Sequence, residues 1–485
     1  MASFNFKKWN VITGWCVFAV ALLTYAMTVE PTTSFWDAAE YITTSSNLEV
    51  GHPPGAPLYQ IMGAFFSIFA FGEVTNIALM VNMMSVFASA FTILFMFWSM
   101  SLLLRKILVK EDTHTSQNDI VILGSAAIGA LTFTFTDSFW FSAVEAEVYA
   151  MASMLIAVLF YLGLLWERDM NKPRGNRWLI LIAFIVGLSF GVHFMALLTI
   201  PAIGLLFYFK NYKVTVKNFI VANIAVLAVL MFIFLFLLPM TMRFFSASEL
   251  FFINTIGLPF HSGTIIAAII MIGLFYYLLR YTKQKKYPIM NIAVLCILFV
   301  FIGFSSWVML PIRANAGTTI NQNNPGDAQE LLSYYNREQY GGPSLLYYPY
   351  FSEVYAGLDE NNPYKDGKPN YEKDEKRGKY VIVNNYKNAN QNLDDAHKGF
   401  FPRMWSQEPK HIKNYMSMYT GPLEFSIKRE YMNQQLLVDE VARFKQEFAQ
   451  GMADYDDYHN FLRQFGEYLD VEKPTFGENL YYLFD

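Results

Sequence analysis

Apolar residues run along this chain in long unbroken blocks, with neither the stripe of a surface helix nor the alternation of a strand. The blocks lie at 9–29, 76–104, 120–136, 147–166, 178–193, 194–209, 219–242, 263–279 and 289–311. A helix that crosses a bilayer needs about 20 such residues, so the pattern predicts nine spans. In the first block, Trp9, Trp15 and Tyr25 stand as interfacial anchors and no small-residue cleavage site follows, so it reads as a retained span. The blocks 178–193 and 194–209 are short and nearly continuous, with His193 and Pro201 by their junction, which predicts a tight helical hairpin. The run 55–72, APLYQIMGAFFSIFAFGE, is read as an amphipathic helix lying along the membrane surface. Counting it as a further span would reverse the charge bias of every loop after it.

That bias is pronounced. With the N-terminus inside, the cytoplasmic pieces carry Lys7, Lys8, Arg105, Lys106, Lys110, Arg168, Lys172, Arg174, Arg177, Lys210, Lys213, Lys217, Arg280, Lys283, Lys285 and Lys286. Up to residue 311 the outer pieces carry Arg243 alone, as the positive-inside rule requires. Composition agrees: 54% of residues are hydrophobic and 16% charged, against about 25% charged in soluble chains. The net charge of −4 gives no footprint for nucleic acid. Cys16 and Cys296 both fall in apolar blocks, so neither a disulfide framework nor a cysteine metal site is expected.

After Pro311 the chain turns polar, which predicts a transmembrane domain over 1–312 and an outer region over 313–485. In the latter, NNPGD at 323–327 is a turn whose Asp327 caps a helix near 328–340. GKYVIVN at 378–384 reads as a strand, and 424–449 and 452–469 as helices, with Leu436, Leu437, Val441 and Phe444 on one face. The closing NLYYLFD has neither cap nor polar tail, so the natural chain is expected to continue past Asp485.

Candidate chemistry gathers at the outer ends of the spans. The first outer loop holds Glu30, Asp37, Glu40 and Glu49 and no lysine or arginine. Asp37 and Glu40 share a helix face, Ser34 is placed to cap that helix, and the glycines and prolines of GHPPG turn the backbone beside His52. Carboxylates held at the membrane surface suit a general base acting on something delivered from lipid; a solvated acidic loop is the plainer alternative. Glu145, Glu147 and His193 fall at the same level, with at most one of the two glutamates expected to point into a site. Arg243 and Arg313 offer forked donors for a phosphate, although Arg243 also fits a snorkelling residue. No zinc, nucleotide-phosphate or serine-elbow motif occurs. No metal or cofactor is expected, and the energy must come from an activated, membrane-carried substrate.

The stretch FWDAAEYITTSSNLEVGHPPGAPLY, with AEVYA at 146–150, GLSFGVH at 187–193 and LPIRANAGTTINQNNPGD running on to YNREQYGG (310–342), resembles the protein O-mannosyltransferase superfamily. The likeness is to a branch of large bacterial membrane proteins related to an animal transmembrane O-mannosyltransferase. It implies a GT-C-like fold and inverting transfer of mannose from a polyprenyl-phosphate donor to Ser/Thr hydroxyls of exported proteins. It places the chain in a bacterial inner membrane, with residues 313–485 periplasmic. Carried over residue by residue, Asp37 is the base, Glu40 a second carboxylate, Arg313 a phosphate ligand and His52 a loop-shaping or substrate-contacting residue. Related enzymes often place an acid directly beside the aspartate; here the neighbour is Ala38. The competing readings are the same donor with a lipid or envelope-glycan acceptor, and a transporter or scaffold subunit.

Overall fold

A computed structural model describes residues 5–109, 115–340, 347–355, 357–359, 361–400, 406, 408–478 and 480. Lys110, His114 and the terminal run 481–485 lie outside the described residues. The chain forms two compact units, Met1–Tyr340 and Gly341–Asp485.

The first unit is helical: α1 (Phe6–Met27), α2 (Ala38–Ser46), α3 (Pro57–Ser67), α4 (Ile77–Leu108), α5 (Ser116–Thr134), α6 (Asp137–Ala143), α7 (Val148–Asp169), α8 (Arg177–Ser189), α9 (Thr199–Asn211), α10 (Val216–Met231), α11 (Leu238–Leu250), α12 (Ser262–Gln284), α13 (Pro288–Phe304), α14 (Met309–Ala314) and α15 (Ala328–Tyr335). Among the described residues, seven helical stretches are long and apolar enough to cross a membrane: Phe6–Met27, Val74–Leu108, Val148–Asp169, Phe194–Asn211, Val216–Thr255, Ser262–Gln284 and Pro288–Ala314. An eighth would be α5 with α6, bent by 70°. Against the nine expected spans, seven helical stretches, or eight with that pair, meet the length and composition a crossing helix needs among the described residues. The block 178–193 folds as the shorter apolar helix α8, whose 13 residues, at about 1.5 Å per residue, reach roughly 20 Å of a core about 30 Å thick. α3, at 11 residues, is likewise too short to cross.

The expected hairpin at 178–209 is also replaced. α8 packs on α13 and α7, whereas α9 packs on α7 and α10. Glycine decides the α8–α13 contact: a Cβ on Gly187 would strike the Val300 carbonyl, and one on Gly303 the Phe184 carbonyl. The backbones meet where membrane helices commonly place small residues. Trp307 then donates its indole N–H to the Phe190 carbonyl at 2.9 Å, closing the end of α8.

The first unit runs past the expected boundary at 312. Val50 and Asn321 form a parallel bridge, with Val50 N–H donating to Ile320 O at 3.1 Å and Gln322 N–H to Val50 O at 3.0 Å. Residues after α14 therefore belong with the first loop. Asp327 caps α15 as expected, accepting from Gln329 N–H at 2.8 Å and Glu330 N–H at 3.0 Å.

Among its described residues the second unit has eight short strands, β1 (Tyr348–Pro349), β2 (Tyr364–Lys365), β3 (Tyr371–Asp374), β4 (Lys379–Ile382), β5 (Asn390–Gln391), β6 (Lys398–Gly399), β7 (Phe425–Ile427) and β8 (Leu469–Val471). They pair antiparallel as β1–β6, β2–β5, β3–β4 and β7–β8. Its helices are α16 (Pro409–Tyr415), α17 (Gln435–Ala449) and α18 (Tyr455–Phe465). The strand expected at 378–384 is β4. The helix expected from 424 begins only at Gln435, since Phe425–Ile427 pair with β8 instead. Leu437, Val441 and Phe444 face the core, where Phe444 stacks on Phe461 at 4.0 Å; Leu436 is 88% exposed and leaves the expected face.

Candidate active site

The site is built on the loop between α1 and α4. Trp36 adopts a left-handed φ of +63° and stands 88% exposed, a conformation rare for a bulky residue and characteristic of strained functional turns. The helix α2 starts directly after it, with Asp37 at the N-cap position and its carboxylate not used for capping. Ser34 is therefore too far upstream to be the cap it was expected to be. The Asp37 side chain is 57% exposed, free to meet a substrate.

One turn later, Glu40 is fully engaged. Its carboxylate accepts from the His52 backbone N–H at 2.6 Å, from His52 Nδ1–H at 3.1 Å and from Gln322 Nε2–H at 3.2 Å. Burial pushes the Glu40 carboxyl up, but the hydrogen bonds and charge of His52 outweigh it and leave it below the usual range. The same bond to Glu40 raises His52 above its ordinary value against the effect of burial. The other ring nitrogen of His52, Nε2, faces Asp37 Oδ2 at 3.9 Å. The two carboxylates expected to act as a pair are thus joined through one imidazole.

The second carboxyl beside Asp37 is Glu147, in the connection between α6 and α7. It is 7% exposed. Burial chiefly, then the charges of Asp37 and Glu145, push its pKa up from 4.5 to about 7, with the backbone amides of Val148 and Asp37 opposing. Glu145 is buried too; desolvation raises it, and the Ser34 hydroxyl draws it down. Of the two glutamates, Glu147 feels the charge of Asp37, while Glu145 lies toward Ser34 and beside Glu147. Tyr41 lies among Glu147, Asp37 and Glu40, and its hydroxyl is raised by burial and by those charges.

His193 follows α8. Its Nδ1 accepts from Met195 N–H at 3.1 Å, its ring lies 5.4 Å from that of Tyr149, and burial followed by the charge of Arg337 lowers its pKa. Gly191 in the same turn accepts from Leu58 N–H at 2.8 Å and Tyr59 N–H at 3.2 Å, tying the turn to the start of α3. The loop that carries His52 is clamped from above by Tyr334, whose hydroxyl donates to Gly51 O at 2.6 Å. Both glycines are required here. A Cβ on Gly51 would sit 2.8 Å from Glu40 Oε1, and Gly55, at φ +73°, has no room beside the Tyr334 hydroxyl at 2.6 Å.

Arg313 reaches the same short helix from its other end. Nε donates to Leu48 O at 2.5 Å and Nη2 to Asn47 O at 3.1 Å, a cationic cap on the C-terminus of α2. The nine residues of α2 separate it from Asp37 by roughly 15 Å. Arg243 is exposed on α11 and makes no hydrogen bond or ion pair among the described residues, so it does not join the cluster. The arginine that sequence reasoning passed over is Arg337. It is exposed just beyond α15, three residues after the Tyr334 clamp, lies over the Tyr340 ring at 4.8 Å, and is close enough to perturb both His52 and His193. Its position inside YNREQY was the available signal.

Asp37, Glu40 and His52 present ligand atoms within 4.8 Å of one another. Yet Glu40 and His52 Nδ1 are spent on each other, which leaves only Asp37 and His52 Nε2 to face an incoming ion. The arrangement serves better as a proton relay than as a metal cage.

Residues 37–216 match the family described as the protein O-mannosyl-transferase TMEM260 N-terminal domain, and 341–484 match a family of unknown function, DUF8416. The chain is 26% identical over 162 residues to the protein O-mannosyl-transferase tmem260 of Dictyostelium discoideum, covering 33% of this chain and 18% of that one. It is 25% identical over 174 residues to protein O-mannosyl-transferase TMEM260 of Mus musculus, covering 36% of this chain and 22% of that one. The chain thus spans about a fifth of the length of the curated relatives it matches. No solved structure matches it. The expected likeness to the branch containing an animal transmembrane O-mannosyltransferase holds, and the matched segment contains Asp37, Glu40, His52, Glu145, Glu147 and His193.

Proposed function

We propose that this chain is an inverting glycosyltransferase of GT-C-like fold that moves mannose from a polyprenyl-phosphate donor to Ser/Thr hydroxyls of exported proteins, at the periplasmic face of a bacterial inner membrane. The observation that carries the reading is Asp37: an exposed carboxylate, held between His52 and a buried carboxylic acid, in the segment shared with relatives named protein O-mannosyl-transferases.

The acceptor hydroxyl oxygen attacks the anomeric carbon opposite the phosphate. Its proton passes to Asp37 as the new C–O bond forms, and the bond to the phosphate oxygen breaks with its electron pair leaving on the lipid phosphate. A phosphate leaving group needs positive charge and no general acid, and one base is enough for a single displacement. Arg337 is the cation we assign to the departing phosphate, because it is exposed and near His52 and His193. Arg313 supports α2 from behind. His52 takes the proton onward from Asp37, held by Glu40 in the tautomer whose Nε2 faces the base. The Glu147 carboxyl, raised to about 7 by burial and by the charges of Asp37 and Glu145, lessens the negative charge that the pocket carries beside Asp37.

The test is reconstitution of the purified chain in proteoliposomes with polyprenyl-phosphate mannose and three acceptors: a Ser/Thr peptide, the same peptide with alanine at those positions, and a lipid acceptor. One hexose added to the Ser/Thr peptide alone supports the reading. Transfer to the lipid alone replaces the acceptor, and no transfer to any acceptor removes the reading.

A further inference from the structure

The second unit contains a cavity of about 620 Å³, within the range of small-molecule sites. Its floor is apolar, made by Leu393, Leu358 and Leu462; Leu358 and Leu393 pair across the floor as an isolated bridge. One wall is α18 and the residues after it, which present His459, Arg463 and Glu467 at intervals of four. The opposite wall is the β2–β5 ribbon, whose paired residues Tyr364 and Gln391 both line the cavity. Tyr364 is 49% exposed. Gln464 adds a second amide to the rim.

The lining discriminates among ligands. Arg463 brings one positive charge and Glu467 one negative charge to the same rim, and among the described residues Arg463 is in no ion pair. His459 is 8% exposed, with Nδ1 2.9 Å from the Tyr355 hydroxyl; burial first and Arg463 second hold it below its ordinary value, so it adds no charge near neutrality. The Lys428 ammonium also reaches Gly357 on the cavity wall, so the charges around the rim are two cations, Arg463 and Lys428, and the Glu467 carboxylate. Main-chain peptide docking has little to grip, since β2 and β5 are two residues each and already paired. What remains is a dense set of donors and acceptors (a guanidinium, two amides, a carboxylate) above an apolar floor with one open tyrosine ring. A ligand that carries hydroxyls around its edge and C–H groups on its face matches that set.

We propose that this cavity binds a neutral saccharide, with the sugar face on Tyr364 and the hydroxyls on Arg463, Gln391, Gln464 and Glu467. The site stands on the second unit alone and does not depend on the transfer chemistry proposed for the first.

The experiment uses the full chain in detergent micelles, with saturation-transfer NMR on α-1,2-mannobiose and, separately, cellobiose. Tyr364→Ala, Arg463→Ala and Gln464→Ala are compared with the unaltered chain, and thermal unfolding is the control for folding. Binding of either disaccharide, weakened at least tenfold by two of the three exposed-residue variants with unfolding unchanged, is the expected result. Binding that none of the variants weakens places the sugar elsewhere and overturns the proposal. So does binding of neither sugar.

Discussion

His52 Nε2 stands 3.9 Å from Asp37 Oδ2 while its Nδ1 lies 3.1 Å from Glu40 Oε2, so a single imidazole links the exposed carboxylate to the engaged one. Glu40 is thereby a positioning residue for His52, which its place three residues after Asp37 does not reveal. Glu40→Ala strips the acceptor from both the ring and the backbone N–H of His52. Losing such bonds costs about 1–3 kcal/mol, so transfer should fall roughly 10- to 100-fold. Glu40→Gln keeps an acceptor oxygen and should recover part of the loss, and the imidazole titration followed by NMR should move down in both variants.

Glu147 sets a pH dependence. Its carboxyl is raised from 4.5 to about 7 by burial and by the charges of Asp37 and Glu145, so between those values the folded chain binds more protons than the unfolded one. The stability this confers is fully present below the ordinary carboxyl range and is lost as pH rises through about 7, a swing of roughly 3 kcal/mol at most. Glu147→Gln should flatten that alkaline decline in Tm and raise Tm at pH 8 relative to the unaltered chain. A decline that persists in the variant would assign it to another group.

The two arginines should separate by what they disturb. Arg313→Ala removes the cap on the far end of α2 and should lower Tm, with an activity loss that follows the loss of structure. Arg337→Ala touches an exposed side chain and should leave Tm unchanged while raising KM for the lipid donor and lowering kcat. Measuring both parameters against both variants checks the assignment.

Gly187→Val places a branched side chain against the Val300 carbonyl, where the α8 and α13 backbones touch. Overpacking of this kind costs about 1–3 kcal/mol, and Tm in detergent should drop accordingly. Gly124→Val, at a position whose added Cβ meets nothing within 4 Å, is the matching control and should change Tm little.

Much of this was legible in the sequence because the bilayer makes hydrophobic length decisive: the long spans, the short α3 and the polar turn after Pro311 all follow from it. Asp327, a capping residue before a helix, declared itself in the same local way. Partner choice is what failed to show. Ser34 was expected to cap α2 and instead lies toward Glu145, because Trp36 delays the helix start. Block 178–193 has the composition of a span, but Arg177–Ser189 is only 13 residues of helix before the turn that holds Gly191 and His193. Arg313, the natural phosphate ligand by its place at the membrane edge, spends two nitrogens on α2. Arg337, inside YNREQY, acquires its meaning only once Tyr334, three residues before it, bonds to the carbonyls of Gly51 and His52. Long-range contacts of this kind leave no local periodicity to read.

The most direct measurement is transfer by Asp37→Asn in the reconstituted assay, with the chain verified as folded by an unchanged Tm and with donor binding measured alongside. The account predicts that mannose transfer falls to background while the polyprenyl-phosphate donor still binds. Transfer at the rate of the unaltered chain would contradict it.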